Sequence, residues 1–124
     1  MRSESLRLLN RSRSSPAVDA DFQPAAILEI LDRHAVEYVL IGGYAALLHG
    51  STLPTRDIDI TPRREAKNLT NLIAALEDLE ARIRVTDDIE PLPFKTSPKA
   101  LATVTVLNLA TRFGDLDLVV QPAG

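Results

Sequence analysis

The feature that most constrains this chain is the passage from residue 37 to residue 60, where a strand, a glycine pair, a short helix and an acid-bearing strand follow one another. Tyr38-Val39-Leu40-Ile41 has the composition of a strand and runs directly into Gly42-Gly43. Residues 44–49 have helical character and stop at Gly50, with His49 closing the last turn. A short loop then leads into Thr55-Arg56-Asp57-Ile58-Asp59-Ile60. Side chains at i and i+2 of a strand share a face, so Asp57 and Asp59 project together with Cα atoms roughly 6.6 Å apart. Ile58 and Ile60 point the other way, into a core, and anchor the strand that carries the acids.

A D-x-D pair alone is most often the solvated face of an edge strand. Here a second acid-bearing strand follows, Gly114-Asp115-Leu116-Asp117-Leu118-Val119-Val120. It is preceded by an apolar run over residues 102–110, and the short connection Thr111-Arg112-Phe113-Gly114 predicts an antiparallel hairpin. If that hairpin lies beside the Asp57 strand, Asp117 or Asp115 completes a three-carboxylate cluster. Two unit charges about 4 Å apart repel by roughly 4 kcal/mol at an effective dielectric of 20, so three acids converge only around a cation. Mg²⁺, a hard ion that takes oxygen ligands and substrate phosphates, suits such a site, and Mn²⁺ is the alternative. A second ion alongside it would clamp attacking and leaving oxygens. The glycine pair lets backbone approach a ligand, and the N–H groups of the helix that follows favour phosphate oxygens.

These residues resemble the nucleotidyltransferase superfamily with the DNA polymerase β-like core, most closely its AbiEii-type, toxin-associated branch, over residues 36–124. The resemblance implies an α+β fold: a minimal nucleotidyltransferase domain with a mixed β-sheet packed by helices and an antiparallel C-terminal hairpin. It also implies an NTP substrate, with Gly42 and Gly43 at its triphosphate. Asp57 and Asp59 match the metal pair of the family, and Asp117 matches the third acid, which can also activate the attacking hydroxyl; Asp115 is the weaker match. Many members place serine directly after the glycine of the first motif, whereas Tyr44 follows Gly43 here, and Ser51 is the candidate for part of that role. Relatives usually continue past the third acid into helices that bind the acceptor, so a chain ending at Gly124 reads as minimal or as a fragment. Acceptors in the superfamily include tRNA ends, protein hydroxyls and small molecules, and the toxin-associated branch implies an antitoxin partner. The contrasting expectation is a catalytically inactive protein that keeps the fold and binds a partner.

Composition narrows the class. A length of 124 residues with 45% hydrophobic and 25% charged residues fits one globular domain. No run approaches the roughly 18 apolar residues of a membrane span, and we expect a cytoplasmic protein. With no cysteine and only His34 and His49, disulfides, thiolate metal sites and a histidine-based zinc site are excluded. The net charge of −3 argues against a generally basic nucleic-acid binder. Within residues 1–15, however, Arg2, Arg7, Arg11 and Arg13 outweigh Glu4, so that segment carries +3 and the rest of the chain −6. Residues 1–22 therefore read as a flexible basic segment, with an RNA-binding arm as the functional alternative, and residues 23–124 as the nucleotidyltransferase-like domain.

Between the motifs, helical spacing over residues 21–35 and again over residues 64–82 predicts two helices that pack on the sheet. A short strand is expected over residues 81–86. Asp87, Asp88 and Glu90 lie in a proline-broken loop that reads as solvated. Lys95 and Lys99 follow it, and Lys95 is the candidate for reaching the triphosphate.

Overall fold

The computed structural model describes residues 22–85, 88 and 90–120. Its elements run α1 (Pro24–Arg33), β1 (Tyr38–Ile41), α2 (Gly42–Leu48), β2 (Asp57–Pro62), α3 (Ala66–Asp78), β3 (Arg82–Ile83), β4 (Leu92–Pro93), α4 (Pro98–Leu101), β5 (Val106–Thr111) and β6 (Gly114–Val119). The six strands form one mixed sheet in the order β1-β2-β6-β5-β3-β4. The β2–β6 pair is parallel and every other pair is antiparallel. This is the mixed, helix-packed α+β architecture with a C-terminal hairpin that the motifs imply.

One face of the sheet packs against α1 and α3. Ile58, Ile60, Leu109, Leu116 and Leu118 have no exposed surface and share a core with Ile27 and Leu31 of α1 and Leu69, Leu72 and Leu76 of α3. The i, i+3, i+4 spacing on the helices and the i, i+2 spacing on the strands meet in this layer. The acids alternate with these strand residues and so lie on the opposite face.

Asn68 ties the helix layer to the sheet. Its side-chain amide is buried, accepts from the Glu37 N–H at 2.7 Å, and donates to Glu37 O at 2.9 Å and Arg63 O at 2.8 Å. One side chain thus satisfies the Glu37 N–H and the Arg63 carbonyl, beside the last cross-strand bond from Arg63 N–H to Glu37 O.

The helices are shorter than their periodic patterns, because each ends in the same left-handed turn. After α1, Ala35 N–H donates to Asp32 O and Val36 N–H to Leu31 O; after α3, Glu80 N–H donates to Glu77 O and Ala81 N–H to Leu76 O. These pairs are Schellman closures, and Ala35 and Glu80 sit at φ 59° and 55° where glycine is usual. Gly50, at φ 108°, closes α2 in the same way. Only the second half of the run over residues 102–110 is strand: α4, capped by Ser97 Oγ accepting from Ala100 N–H, ends just before the run, and β5 begins at Val106. Residues 1–21, with the four arginines, and Asp87 lie outside the described residues. Phe22, grouped with that segment by sequence, is buried and packs on the domain.

Candidate active site

The acid cluster is produced by register. In the parallel β2–β6 pair Asp57 stands beside Asp115 and Asp59 beside Asp117, while Ile41 of β1 flanks Asp59 on the other side. Both D-x-D pairs therefore face the same way on neighbouring strands. One carboxylate oxygen each from Asp57, Asp59 and Asp117 lies within 4.8 Å of the others. Asp115 pairs with Asp57 in register but is not part of this three-acid group. Its side chain is 36% exposed against 14% for Asp117, because it follows the hairpin turn.

Crowding of like charge shapes the titration of the cluster. Burial pushes the Asp117 carboxyl from its ordinary 3.8 up to about 6; the Arg84 guanidinium opposes the rise, and Asp57 and Asp59 add to it. Burial and then the Asp57 charge also raise Asp59, against a hydrogen bond with Asp117 and the attraction of Arg84. Arg84 Nη2 donates to Asp117 Oδ1 at 2.7 Å, and Nη1 lies 3.6 Å from Asp115 Oδ2. Burial works against the charge of Arg84, but Asp115 and Asp117 outweigh it and hold the group more firmly protonated.

Gly42 is required by the acids themselves. Its φ is +74°, and a Cβ there would run into the Asp59 carboxylate. Gly43 faces Thr55, whose Oγ1 would lie 3.1 Å from an added Cβ. Thr55 is buried and donates from Oγ1 to Asp57 O at 3.2 Å, bracing the start of β2. The N-cap of α2 is Ile41, which has no side-chain acceptor, so no side chain caps the first N–H groups of that helix.

The remaining sequence candidates take other positions. Ser51 Oγ accepts from Leu53 N–H at 3.2 Å within the loop after α2. Tyr44, in the place of the family serine, packs edge-on against Phe22 with ring centroids 6.1 Å apart. Lys95 lines a cavity of about 400 Å³ with Ile73, Leu76, Glu77, Glu80 and Phe94, beside α3 and apart from the acid group. The residue missed by sequence is Arg84. It follows a two-residue strand and meets β6 only across β5, where its N–H donates to Asn108 O at 2.9 Å. The alternation Arg82-Ile83-Arg84 was the available signal, since it places both arginines on the face that carries the acids.

A donor set of three carboxylates with no sulfur or imidazole fits a hard divalent cation and no soft one. A mixed sheet with this cluster beside a strand–glycine–helix turn is the arrangement expected of a nucleotidyltransferase, an enzyme that uses an NTP, and the family comparison gives that class. Residues 25–121 match the family model of the aminoglycoside-2''-adenylyltransferases, and the chain belongs to that family. Comparison with curated proteins and with solved structures returns no match. Among the described residues no helix is long and apolar enough to cross a membrane.

Proposed function

We propose that the protein is a Mg²⁺-dependent adenylyltransferase that moves AMP from ATP to a hydroxyl of a small cationic acceptor of the aminoglycoside kind, with pyrophosphate as the leaving group. The observation that carries this reading is the convergence of Asp57, Asp59 and Asp117 beside the Gly42 turn. The family whose model matches is named for adenylyl transfer to an aminoglycoside. A net charge of −3 on the chain also suits a cationic acceptor better than a polyanionic one.

In this reading Asp57, Asp59 and Asp117 would hold Mg²⁺ or Mn²⁺. When bound, the metal supplies Lewis-acid stabilisation of the charge that develops on the phosphoryl oxygens. The remaining work belongs to the chain. Gly42 and Gly43 leave room for the triphosphate and offer the N–H groups at the start of α2. Asp117, as third ligand or as base, is placed to receive the proton of the acceptor hydroxyl as its oxygen attacks the α-phosphorus and pyrophosphate leaves. Ser51 accepts from Leu53 N–H in its own loop and Lys95 lines the cavity beside α3, so neither is assigned to the triphosphate in this reading.

A second reading keeps the chemistry and changes the acceptor. An AbiEii-type toxin would modify tRNA or protein, and the four arginines within residues 1–15 favour it, since they could contact RNA phosphates. Such an enzyme would work in the cytoplasm against an antitoxin. One experiment separates the readings: incubation with α-³²P-labelled ATP, Mg²⁺ and, in parallel, an aminoglycoside, bulk tRNA and a protein lysate. Label on the aminoglycoside supports the first reading, and label on tRNA or protein the second. A folded enzyme that labels none of the three, with any of the four NTPs, would revive the inactive, partner-binding alternative.

A further inference from the structure

Arg84 competes with a divalent ion for the same carboxylate. Its guanidinium takes Oδ1 of Asp117, one of the three acids that would hold the metal, and reaches a second acid, Asp115, at the longer distance of 3.6 Å. The group is not fully satisfied there. Arg84 Nε is buried and has no hydrogen-bond partner, although Nη1 and Nη2 each face an acid. A guanidinium presents five donors in a fixed fork suited to phosphate as well as carboxylate, and the Nε–H donor is unpartnered here.

Two consequences follow from charge. Arg84 partly neutralises the crowded acids, so it lowers their attraction for any further cation. A doubly charged ion at Asp117 would in turn repel the guanidinium and weaken its hold on the same oxygens. The side chain is 26% exposed and starts just past a two-residue strand, with Val85 beyond it half exposed, and the head group is held at the acids by charge and by the 2.7 Å bond to Asp117. The released fork would then face the most negative group brought to the site, the triphosphate.

We propose that Arg84 is a resident counter-cation of the acid cluster that exchanges partners: it leaves Asp117 when the metal arrives and becomes a phosphate-binding residue for the NTP. The inference rests on the acids being the metal site, and its test separates the two. Mn²⁺ binding to protein stripped of metal, without nucleotide, is measured by calorimetry for the parent, Arg84→Gln and Arg84→Lys. Binding of a non-hydrolysable ATP analogue is then measured at saturating Mn²⁺.

Exchange predicts opposite signs for the two measurements. Arg84→Gln should bind Mn²⁺ alone about tenfold more tightly, because a competing positive charge is gone. It should bind the analogue about tenfold more weakly, because one charge-assisted phosphate contact is lost. Arg84→Lys, which keeps the charge without the fork, should leave Mn²⁺ affinity near the parent's and still weaken the analogue. Circular dichroism confirms that each variant is folded, and the lysine variant carries the test if the glutamine variant is not. Weaker or unchanged Mn²⁺ binding in Arg84→Gln, or unchanged analogue affinity in both variants, overturns the exchange while leaving the metal site standing. A parent that binds no Mn²⁺ overturns both.

Discussion

Asp78 and Asp117 each face an arginine, yet their carboxylates are driven in opposite directions. Asp78, at the end of α3, accepts from His34 Nε2 at 3.0 Å and from Arg112 Nη2 at 3.1 Å, with Arg33 at 3.9 Å. The hydrogen bond from His34 holds its pKa below the usual range; desolvation opposes the shift, and Arg112 reinforces it. Asp117 has one arginine and two further acids, is more enclosed, and is raised to about 6. Asp78 therefore has the cations it needs from α1 and from the β5–β6 turn, and it works as a clamp. Asp117 lies in a group with more negative than positive charge, an arrangement that a domain keeps at a cost in stability and that an added cation relieves.

The widest gap between the two should appear in activity. Asp117→Asn is expected to lower nucleotidyl transfer by more than about 100-fold, beyond what the loss of an outer partner costs. Asp78→Asn should leave the turnover of the folded enzyme near the parent value. Asp115→Asn should fall between them, since Asp115 is outside the three-acid group and touches it through Arg84. A steady-state assay with labelled ATP ranks the three, and a ranking with Asp115 first would move the third-acid role to that residue.

Stability should separate them with opposite sign. The folded pKa of Asp117 lies above its unfolded value, so the native state holds the proton between about pH 4 and pH 6, and stability declines as pH rises through that window. At pH 7 with chelator present, Asp117→Asn should therefore be more stable than the parent by about 1 kcal/mol, a shift of two units discounted for solvent screening. The gain should vanish near pH 4. Asp78 is the reverse case: its folded pKa is depressed, so its contribution is present at neutral pH and is lost as pH falls through the folded value. Asp78→Asn should melt below the parent at pH 7, with the difference closing in acid. Thermal melts at pH 4 and pH 7 check both, and equal effects of the two substitutions would remove the contrast.

The smallest effects belong to the helix ends near the clamp. Ala35→Gly and Glu80→Gly should each raise stability by about 0.5–1 kcal/mol in denaturant titrations, because both residues adopt a left-handed conformation that favours glycine. Neither change should alter transfer.

The contrast between Asp78 and Asp117 also marks what could be read from sequence. Strand alternation placed Ile58, Ile60, Leu116 and Leu118 inside and the acids outside, because a period of two is decided by adjacent residues. The hairpin and the glycine turn were legible for the same reason. Helix ends were not, since Ala35 and Glu80 lack the glycine that normally announces a stop. Partners distant in the chain were equally hidden: nothing local ties His34 to Asp78, or Arg84 to Asp117, until β3, β5 and β6 are laid side by side. Lys95 looked suited to phosphate by charge and position in the chain, but β4 is the far edge strand and sets it beside α3.

The proposed function stands on Asp57, Asp59 and Asp117 together holding a divalent metal and its nucleotide. It is tested most directly by melting the parent and the Asp57→Asn, Asp59→Asn double variant with and without Mn²⁺ plus a non-hydrolysable ATP analogue. Ligands that bind only the folded state stabilise it by about 2.7 kcal/mol at a concentration 100 times the Kd. The expected result is a rise in the parent that is modest with Mn²⁺ alone, reaches several degrees with metal and nucleotide together, and is absent from the double variant. An equal rise in the two proteins would contradict it.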